Sequence, residues 1–296
     1  MDPRRSRAVT VMIAAVTVFS GMDALLKALA AYYPPLEVAV MRGACSLPFM
    51  LLPLAWSGRW RDLRPRRLPM HLLRAALLVL TLFGFIYALR ALSLANAYAV
   101  FLSAPLIVTA LSAALLREHA DAGNWGAIVV GLVGVLVMLH PDVHGLVSLG
   151  ALAALVSAFA YALNVIALRV LTHGDSTVSV VLWTVGLMTV FAAVLAAPGW
   201  VPLQSAHWPT FLALGALAAL GQVLLTEAFR AAPPPVVAPF EYTALVWGML
   251  IDRLVWNVLP SPRVLLGGGI VICSGLYVFW RERQQLRAAR ALQPWK

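Results

Sequence analysis

The sequence is most informative at Leu225-Thr-Glu-Ala-Phe-Arg-Ala-Ala-Pro-Pro-Pro-Val-Val-Ala-Pro-Phe-Glu-Tyr-Thr-Ala-Leu245. This stretch lies between two apolar runs and carries two acids, Glu227 and Glu241, where the neighbouring chain is almost uncharged. Three consecutive prolines, 233–235, make a stiff connection rather than a flexible one. The stretch therefore predicts a hinge between two apolar segments, with a carboxylate on each side of it.

An earlier stretch resembles it without a gap at an offset of 140 residues: Phe85-Ile-Tyr-Ala-Leu-Arg-Ala-Leu-Ser-Leu-Ala-Asn-Ala-Tyr-Ala-Val-Phe-Leu-Ser-Ala-Pro105. Arg90 then aligns with Arg230, and three alanines align as well. Phe101 stands where the later stretch has Glu241. The match predicts a duplicated chain whose copies differ at Glu241, and chance similarity between alanine- and leucine-rich segments is the alternative.

The composition indicates an integral membrane protein. Of 296 residues, 62% are hydrophobic and 11% charged, whereas a soluble domain is about half apolar and a quarter charged. Runs of about 20 apolar residues cross a bilayer as helices, so the length fits about ten spans. The net charge of +10 does not predict nucleic-acid binding, because the basic residues lie in short segments between apolar runs.

The predicted fold class is an all-α membrane protein of ten transmembrane helices. Spans 1 to 10 are predicted at about 8–30, 36–56, 71–89, 94–116, 123–139, 147–168, 177–197, 208–229, 235–256 and 263–280. With both termini cytoplasmic, seventeen basic residues fall inside, only Arg90, Arg253 and Arg263 fall outside, and basic Lys27 and Arg42 lie within or near spans. This bias supports the span count and the orientation in the inner (plasma) membrane.

Other motifs are weak. Arginines at positions 4, 5 and 7 could open a signal peptide, but the following apolar run has no small-residue cleavage site and is interpreted as span 1. Cys45 and Cys273 lie inside apolar runs, which argues against a disulfide or metal framework. His140 and His144 belong to a predicted turn, so no metal site and no cofactor are predicted.

The duplication predicts inverted repeats. Five spans per copy is an odd number, so the second copy enters the membrane with the opposite orientation, as in many transporters. The predicted units are residues 1–143 (first repeat), 144–283 (second repeat) and 284–296, a basic cytoplasmic tail.

These features together resemble the EamA family of the drug/metabolite transporter superfamily over the whole chain. The resemblance is carried by the two matched stretches, by two glycine-marked final spans, and by the endings Leu115-Leu-Arg-Glu118 and Gly267-Gly-Gly-Ile-Val-Ile-Cys-Ser-Gly-Leu-Tyr-Val-Phe-Trp-Arg-Glu282. The chain departs from the family pattern before the second ending. Asp252 comes early, and Asn257 stands where the family often has a glutamate. Within the family, the chain resembles the YddG-type amino-acid exporters.

The resemblance implies that spans 1–4 and 6–9 surround a central cavity, with spans 5 and 10 flanking it. It also implies alternating access, in which helix pairs rock about a bound small molecule. The predicted partners are a small-molecule substrate, the lipid bilayer and protons, with the protein acting as a monomer and binding no nucleic acid.

Ionisable residues at membrane depth are functional candidates, because they must face protein or water. Asp23 and Lys27 lie one turn apart on span 1. They predict either a local ion pair or a site for the ammonium and carboxylate of a zwitterion. Glu241 predicts a proton carrier or a contact for a substrate ammonium, and a buried hydrogen-bonding acid is the alternative.

Aromatic and polar residues would complete the cavity, which suits an amphipathic ligand. Packing between helices is the alternative for each ring. The remaining cavity candidates are Phe83, Tyr87, Tyr98, Phe101, Tyr161, Asn164, Trp183, Gln222, Tyr242 and Trp247. The predicted gate or hinge residues are Arg90, Pro105, Arg230, Pro235 and Pro239. The external corner at 87–105 and the stretch at 225–245 would form gates at opposite ends of one cavity.

The sequence thus predicts a secondary transporter rather than an enzyme. It would move a small organic metabolite, in the first place an aromatic or hydrophobic amino acid, outward across the inner membrane. A membrane-embedded enzyme acting on a lipid or isoprenoid, an uptake transporter for a nucleotide-like metabolite or vitamin, and a channel or sensor are the alternatives. The inverted five-span plan argues against the enzyme and the channel.

Overall fold

Every secondary-structure element is a helix in the residues that the computed structural model describes, which are 3–58, 63, 65–115, 122–139, 148–172, 174–232 and 237–291. The helices are α1 (Pro3–Ala30), α2 (Pro35–Ser57), α3 (Leu68–Ala91), α4 (Leu94–Phe101), α5 (Ala104–Leu115), α6 (Ala122–Leu139), α7 (Leu149–Thr172), α8 (Thr177–Ala196), α9 (Trp208–Ala231), α10 (Thr243–Ile251) and α11 (Pro262–Ala291). Short 3₁₀ turns lie at Ala197–Gly199, Ser205–His207 and Ala238–Tyr242.

Eight helical segments of the described chain are long and apolar enough to cross a membrane. They lie at Arg7–Ala30, Pro35–Trp56, Leu68–Ala91, Leu94–Ser112, Leu149–Leu168, Thr177–Gly199, Ser205–Ala231 and Pro262–Arg281. Predicted span 5 contains a shorter apolar helix, Gly123–Met138. Predicted span 9 is helical but divided, so the number of ten spans stays a prediction.

Spans 4 and 9 are each interrupted rather than continuous. In span 4, α4 ends at Phe101 and α5 begins at Ala104. Pro105 therefore lies in the first turn of α5, where its missing N–H requires no partner. In the second segment a 3₁₀ turn precedes α10, and a π-helical turn, Asp252–Trp256, follows it. Asn257 ends that turn in the left-handed conformation, with φ of 55°.

Small residues bring helices into close contact in pairs. The most extensive packing joins α3 to α7, α6 to α11 and α1 to α9. A Cβ added at Gly84 would come 2.8 Å from the carbonyl oxygen of Ala153, and one at Gly134 would come 2.8 Å from that of Gly267. The backbones of these helices therefore touch, as small residues at membrane helix interfaces allow.

Acidic side chains tie the connections at both ends of the bundle. At one end, Asp175 accepts hydrogen bonds from the backbone N–H of Arg66 (3.1 Å) and is bonded to Nε2 of buried His71 (2.8 Å). At the other end, buried Glu37 accepts from the backbone N–H of Val201 (3.0 Å). We call these the Asp175 end and the Glu37 end.

Replacing Gly215 of α9 by alanine is expected to destabilise the bundle by about 1–3 kcal/mol, because overpacking forces backbone shifts. The new Cβ would come 2.5 Å from the carbonyl oxygen of Cys45 on α2. Gly186→Ala on α8 is the matched control, since nothing lies within 4 Å of its added Cβ. Thermal unfolding in detergent should show a lower Tm for Gly215→Ala alone. Equal Tm values for the two variants would contradict the close approach of α2 and α9.

Candidate functional site

The carboxylate of Asp23 is held by a phenol. Asp23 lies on α1 and is 8% exposed, and Tyr98 of α4 donates its hydroxyl proton to Oδ2 at 2.7 Å. The guanidinium of Arg42 on α2 interacts electrostatically with Asp23. Three helices therefore meet at one buried carboxylate.

The ammonium of Lys27 bonds to Asp252, not to Asp23 as a local pair on span 1 would require. Its Nζ lies 2.8 Å from Oδ1 of Asp252 and 4.2 Å from the centre of the Trp256 ring. Lys27 points one turn farther toward the Glu37 end than Asp23, and there it meets the end of the divided segment 238–256. The predicted zwitterion site made by Asp23 and Lys27 together is not formed in this conformation.

Asp252 also caps a helix. Its fully buried carboxylate accepts hydrogen bonds from the backbone N–H groups of Leu94 (3.1 Å) and Ala95 (2.7 Å). These N–H groups open α4, where a negative charge is favoured by the helix dipole. Asp252 thus joins three elements: α1 through Lys27, α4 through its first amides, and the π-helical turn to which Asp252 itself belongs.

Glu241 is the second carboxylate of the site. It lies in the 3₁₀ turn, is partly exposed, and accepts a long hydrogen bond of 3.4 Å from the hydroxyl of Tyr161 on α7. Gly248, seven residues later on α10, packs against α4, because its added Cβ would lie 2.6 Å from the ring of Tyr98.

Four aromatic rings connect the two carboxylates. Tyr161 and Phe101 have ring centres 5.2 Å apart, Phe101 and Phe85 5.2 Å, and Phe85 and Tyr98 5.8 Å. These distances are typical of interacting aromatic pairs. The ring row, defined as these four residues, thus begins beside Glu241 and ends beside Asp23.

The ring row includes Phe85, which the sequence analysis did not select, and leaves out Phe83 and Tyr87. Those two residues lie on the exposed face of α3, 39% and 37% exposed, and pair with each other at 6.3 Å. Phe85 is buried and meets the rings of Tyr98 and Phe101 instead. The role of Phe83 and Tyr87 in a cavity stays a prediction.

Asn164 holds a buried arginine. Its Oδ1 accepts from Nε (3.2 Å) and Nη2 (3.1 Å) of Arg74, its Nδ2 donates to the carbonyl oxygen of Arg74 (3.0 Å), and Nη1 donates to Thr184 (3.0 Å). From the sequence, Arg74 counts only as one of the seventeen basic residues on the cytoplasmic side. It instead ties α3 to α7 and α8.

Other predicted cavity residues have different surroundings. Trp183 donates from Nε1 to the carbonyl oxygen of Leu63 (2.7 Å) at the Asp175 end. Tyr242 is buried against Gly275 of α11, whose added Cβ would collide with its hydroxyl. Gln222 is buried on α9, and Trp247 is partly exposed on α10. The cavity role of all four stays a prediction.

The gate candidates are spread over both ends. Arg90 is exposed in the last turn of α3. Arg230 donates to the hydroxyl of Thr177 (2.6 Å), which donates to Glu227 (2.7 Å), so one hydroxyl bridges Arg230 and Glu227. Pro239 belongs to the 3₁₀ turn, and Pro235 lies outside the described residues. The gate and hinge roles of these residues stay predictions.

In the part of the chain that the structure describes, no group of three or more His, Cys, Asp or Glu residues could hold a metal ion.

Comparison with known proteins identifies the family. The model of the EamA-like transporter family matches residues 6–140 and 148–280. A crystal structure of a protein with 18% sequence identity shares the fold, with a TM-score of 0.67 over 95% of this chain and 99% of that one.

Relatives of similar length are named as transporters. A riboflavin transporter of Vibrio cholerae is 27% identical over 87% of each chain. The pseudopaline exporter CntI of Pseudomonas aeruginosa is 28% identical over 93% of this chain and 96% of its own. An S-adenosylmethionine uptake transporter of Rickettsia conorii is 24% identical over 90% of each. With the family match over nearly the whole length, the chain is a multi-pass membrane protein that belongs to the EamA-like transporter family.

Proposed function

We propose that this protein is a secondary transporter for an amino acid with an aromatic or hydrophobic side chain, as in the YddG-type exporters. The ring row between two carboxylates is the observation that carries the proposal. Asp23 and Glu241 are suited to an ammonium group, and the rings of Phe85 and Phe101 are suited to an apolar side chain.

We propose an alternating-access mechanism built on two inverted repeats, residues 1–143 and 144–283. In such a repeat, spans 1 to 5 correspond to spans 6 to 10. The α3–α7 pair (spans 3 and 6) then corresponds to the α9–α1 pair (spans 8 and 1), and the α6–α11 pair (spans 5 and 10) corresponds to itself. These are the three most extensively packed helix pairs. The interruptions of both divided segments also correspond, since α5 begins at Ala104 and α10 at Thr243, close to the offset of 140. These correspondences support the repeat.

The basic residues support an orientation with the Asp175 end in the cytoplasm, in the plasma membrane. Asp23 then lies in the outer half and Glu241 in the inner half. We propose outward transport, which the 28% identity to an exporter supports. Inward transport is the second candidate, supported by the relative named for uptake of S-adenosylmethionine.

We also propose that protons drive transport, with Glu241 as the carrier. Its carboxylate is partly exposed and accepts one long hydrogen bond, from Tyr161, among the described residues. Such a weakly held acid can release and bind a proton during the cycle.

Flux of radiolabelled L-phenylalanine into proteoliposomes tests the proposed substrate class. We expect saturable flux by the wild type. For Phe101→Ala, which loses the central ring contacts with Phe85 and Tyr161, we expect a roughly tenfold higher substrate concentration at half-saturation. Phe159→Ala on α7 is the control, because that ring is 48% exposed. Absence of saturable amino-acid flux, together with saturable riboflavin flux, would replace this proposal with vitamin transport.

A further inference from the structure

Arg42 is a buried cation with an incomplete set of hydrogen bonds. It is 3% exposed, and its Nε donates to the thioether sulfur of Met22 at 3.4 Å. A guanidinium carries five N–H donors, and a thioether is a weak acceptor. Within the described residues no oxygen accepts a hydrogen bond from Arg42, although buried charges are normally paired.

The other cations at membrane depth in the described chain are better satisfied. Arg74 has three hydrogen bonds to the side chains of Asn164 and Thr184. Lys27 is paired with Asp252 at 2.8 Å. These two side chains have structural partners that account for their burial, whereas Arg42 has donors left for a ligand.

Arg42 reaches α1 at Met22, the residue before Asp23, without bonding to Asp23 itself. The charges of Asp23 and Arg42 interact electrostatically, but no ion pair joins them in the described structure. Each is held by its own partner, since Asp23 accepts the hydroxyl of Tyr98 and Arg42 donates to Met22. An anionic and a cationic group are therefore both held at the Met22–Asp23 position of α1, each by a partner other than the opposite charge.

We propose that Arg42 binds the carboxylate of the transported metabolite while Asp23 binds its ammonium group. An α-amino acid carries these two groups on one carbon atom, and a guanidinium can bind a carboxylate through two parallel hydrogen bonds. The side chain of the ligand would then lie along the ring row, entering it at Tyr98, against which Phe85 is stacked. This inference rests on the proposed function and narrows its substrate class to zwitterions.

A structural role for Arg42, in which it only compensates the charge of Asp23, makes a different prediction. Loss of such a role would weaken the binding of every ligand alike. A binding role is specific to ligands with a carboxylate, because an amide cannot supply the opposite charge.

The experiment compares L-phenylalanine with L-phenylalaninamide, which keeps the ammonium group and lacks the carboxylate. Binding is measured by calorimetry on the purified full chain. For Arg42→Gln we expect at least tenfold weaker binding of phenylalanine and a change below twofold for the amide. Arg67→Gln, an exposed arginine at the start of α3, is the control and should change neither. Equal losses for both ligands, or no loss for either, would overturn the assignment of Arg42.

Arg42→Lys tests the same assignment if Arg42→Gln does not fold. A lysine keeps the charge but not the planar pair of donors, so phenylalanine should bind several-fold more weakly than to the wild type, and the amide unchanged. N-acetyl-L-phenylalanine, which lacks the ammonium group, should bind Asp23→Asn as well as it binds the wild type. A wild type that neither binds nor transports phenylalanine refutes the proposed function itself. Wild-type transport without the ligand-specific losses refutes only the role of Arg42.

Discussion

Asp252→Asn is expected to destabilise the protein by about 3–5 kcal/mol, which is typical for removing one partner of a buried ion pair. The substitution leaves the ammonium of Lys27 with 13% exposure and no opposite charge within bonding distance. It also weakens the cap of α4, because an amide oxygen replaces the carboxylate that accepts from Leu94 and Ala95. Thermal unfolding in detergent should show a Tm lower by on the order of 10 °C.

A double variant separates the two contributions to this effect, loss of the ion pair and weakening of the α4 cap. Lys27→Met combined with Asp252→Asn removes both charges of the pair, so most of the lost stability should return. Arg253→Gln, which changes an exposed neighbour, is the control and should leave Tm within about 1 °C. If the double variant is no more stable than Asp252→Asn alone, the ion pair is not the source of the effect.

Glu241→Gln is expected to abolish flux driven by a pH gradient while phenylalanine exchange without a gradient continues. A glutamine can still accept the hydrogen bond from Tyr161, but it cannot bind and release a proton. The measurement compares pH-driven uptake with counterflow in the same proteoliposomes. We expect pH-driven uptake at background level and counterflow within a few-fold of the wild type.

Glu227→Gln provides the matched control for that experiment. Glu227 is an exposed acid in the last turns of α9, bonded to Thr177 at the Asp175 end. Its substitution should leave the dependence of flux on the pH gradient intact. A Glu241→Gln variant whose flux still follows the gradient would remove Glu241 from the proposed proton pathway.

Much of the fold could be predicted because long apolar runs and loop charges are strong one-dimensional signals. The ends of α2, α7 and α9 lie within a few residues of the predicted spans 2, 6 and 8. The divided segments could not be predicted, because interruption at Leu102 and Ser103 depends on packing between helices. Proline marked the region, but Pro105 alone does not indicate that the helix ends before it.

The candidate site was predicted unevenly for a related reason. Asp23, Tyr98, Phe101, Tyr161 and Glu241 were selected as polar or aromatic groups at membrane depth, and the structure brings all five into one connected series. Their substrate contacts stay a prediction.

The partners across the bundle had no signal in the sequence. Asp252 follows Lys27 by 225 residues along the chain, and only the fold brings them together. Arg42 was noted as basic, but its lack of an oxygen acceptor is a property of its surroundings. Phe85 was missed because α3 is apolar on every face, which makes hydrophobic periodicity uninformative.

The two ends of the ring row are closed by contacts of unequal strength. Toward the Glu37 end, Tyr98 and Lys27 make short bonds to Asp23 and Asp252, whereas Glu241 is held by one bond of 3.4 Å. The empty carrier should therefore spend most of its time ready to open toward the Asp175 end. A ligand arriving from the opposite compartment binds a rarer conformer, and its apparent affinity falls by that fraction. The substrate concentration at half-saturation should then differ between the two sides of the membrane. Transport would thus be kinetically asymmetric although each of its steps is reversible.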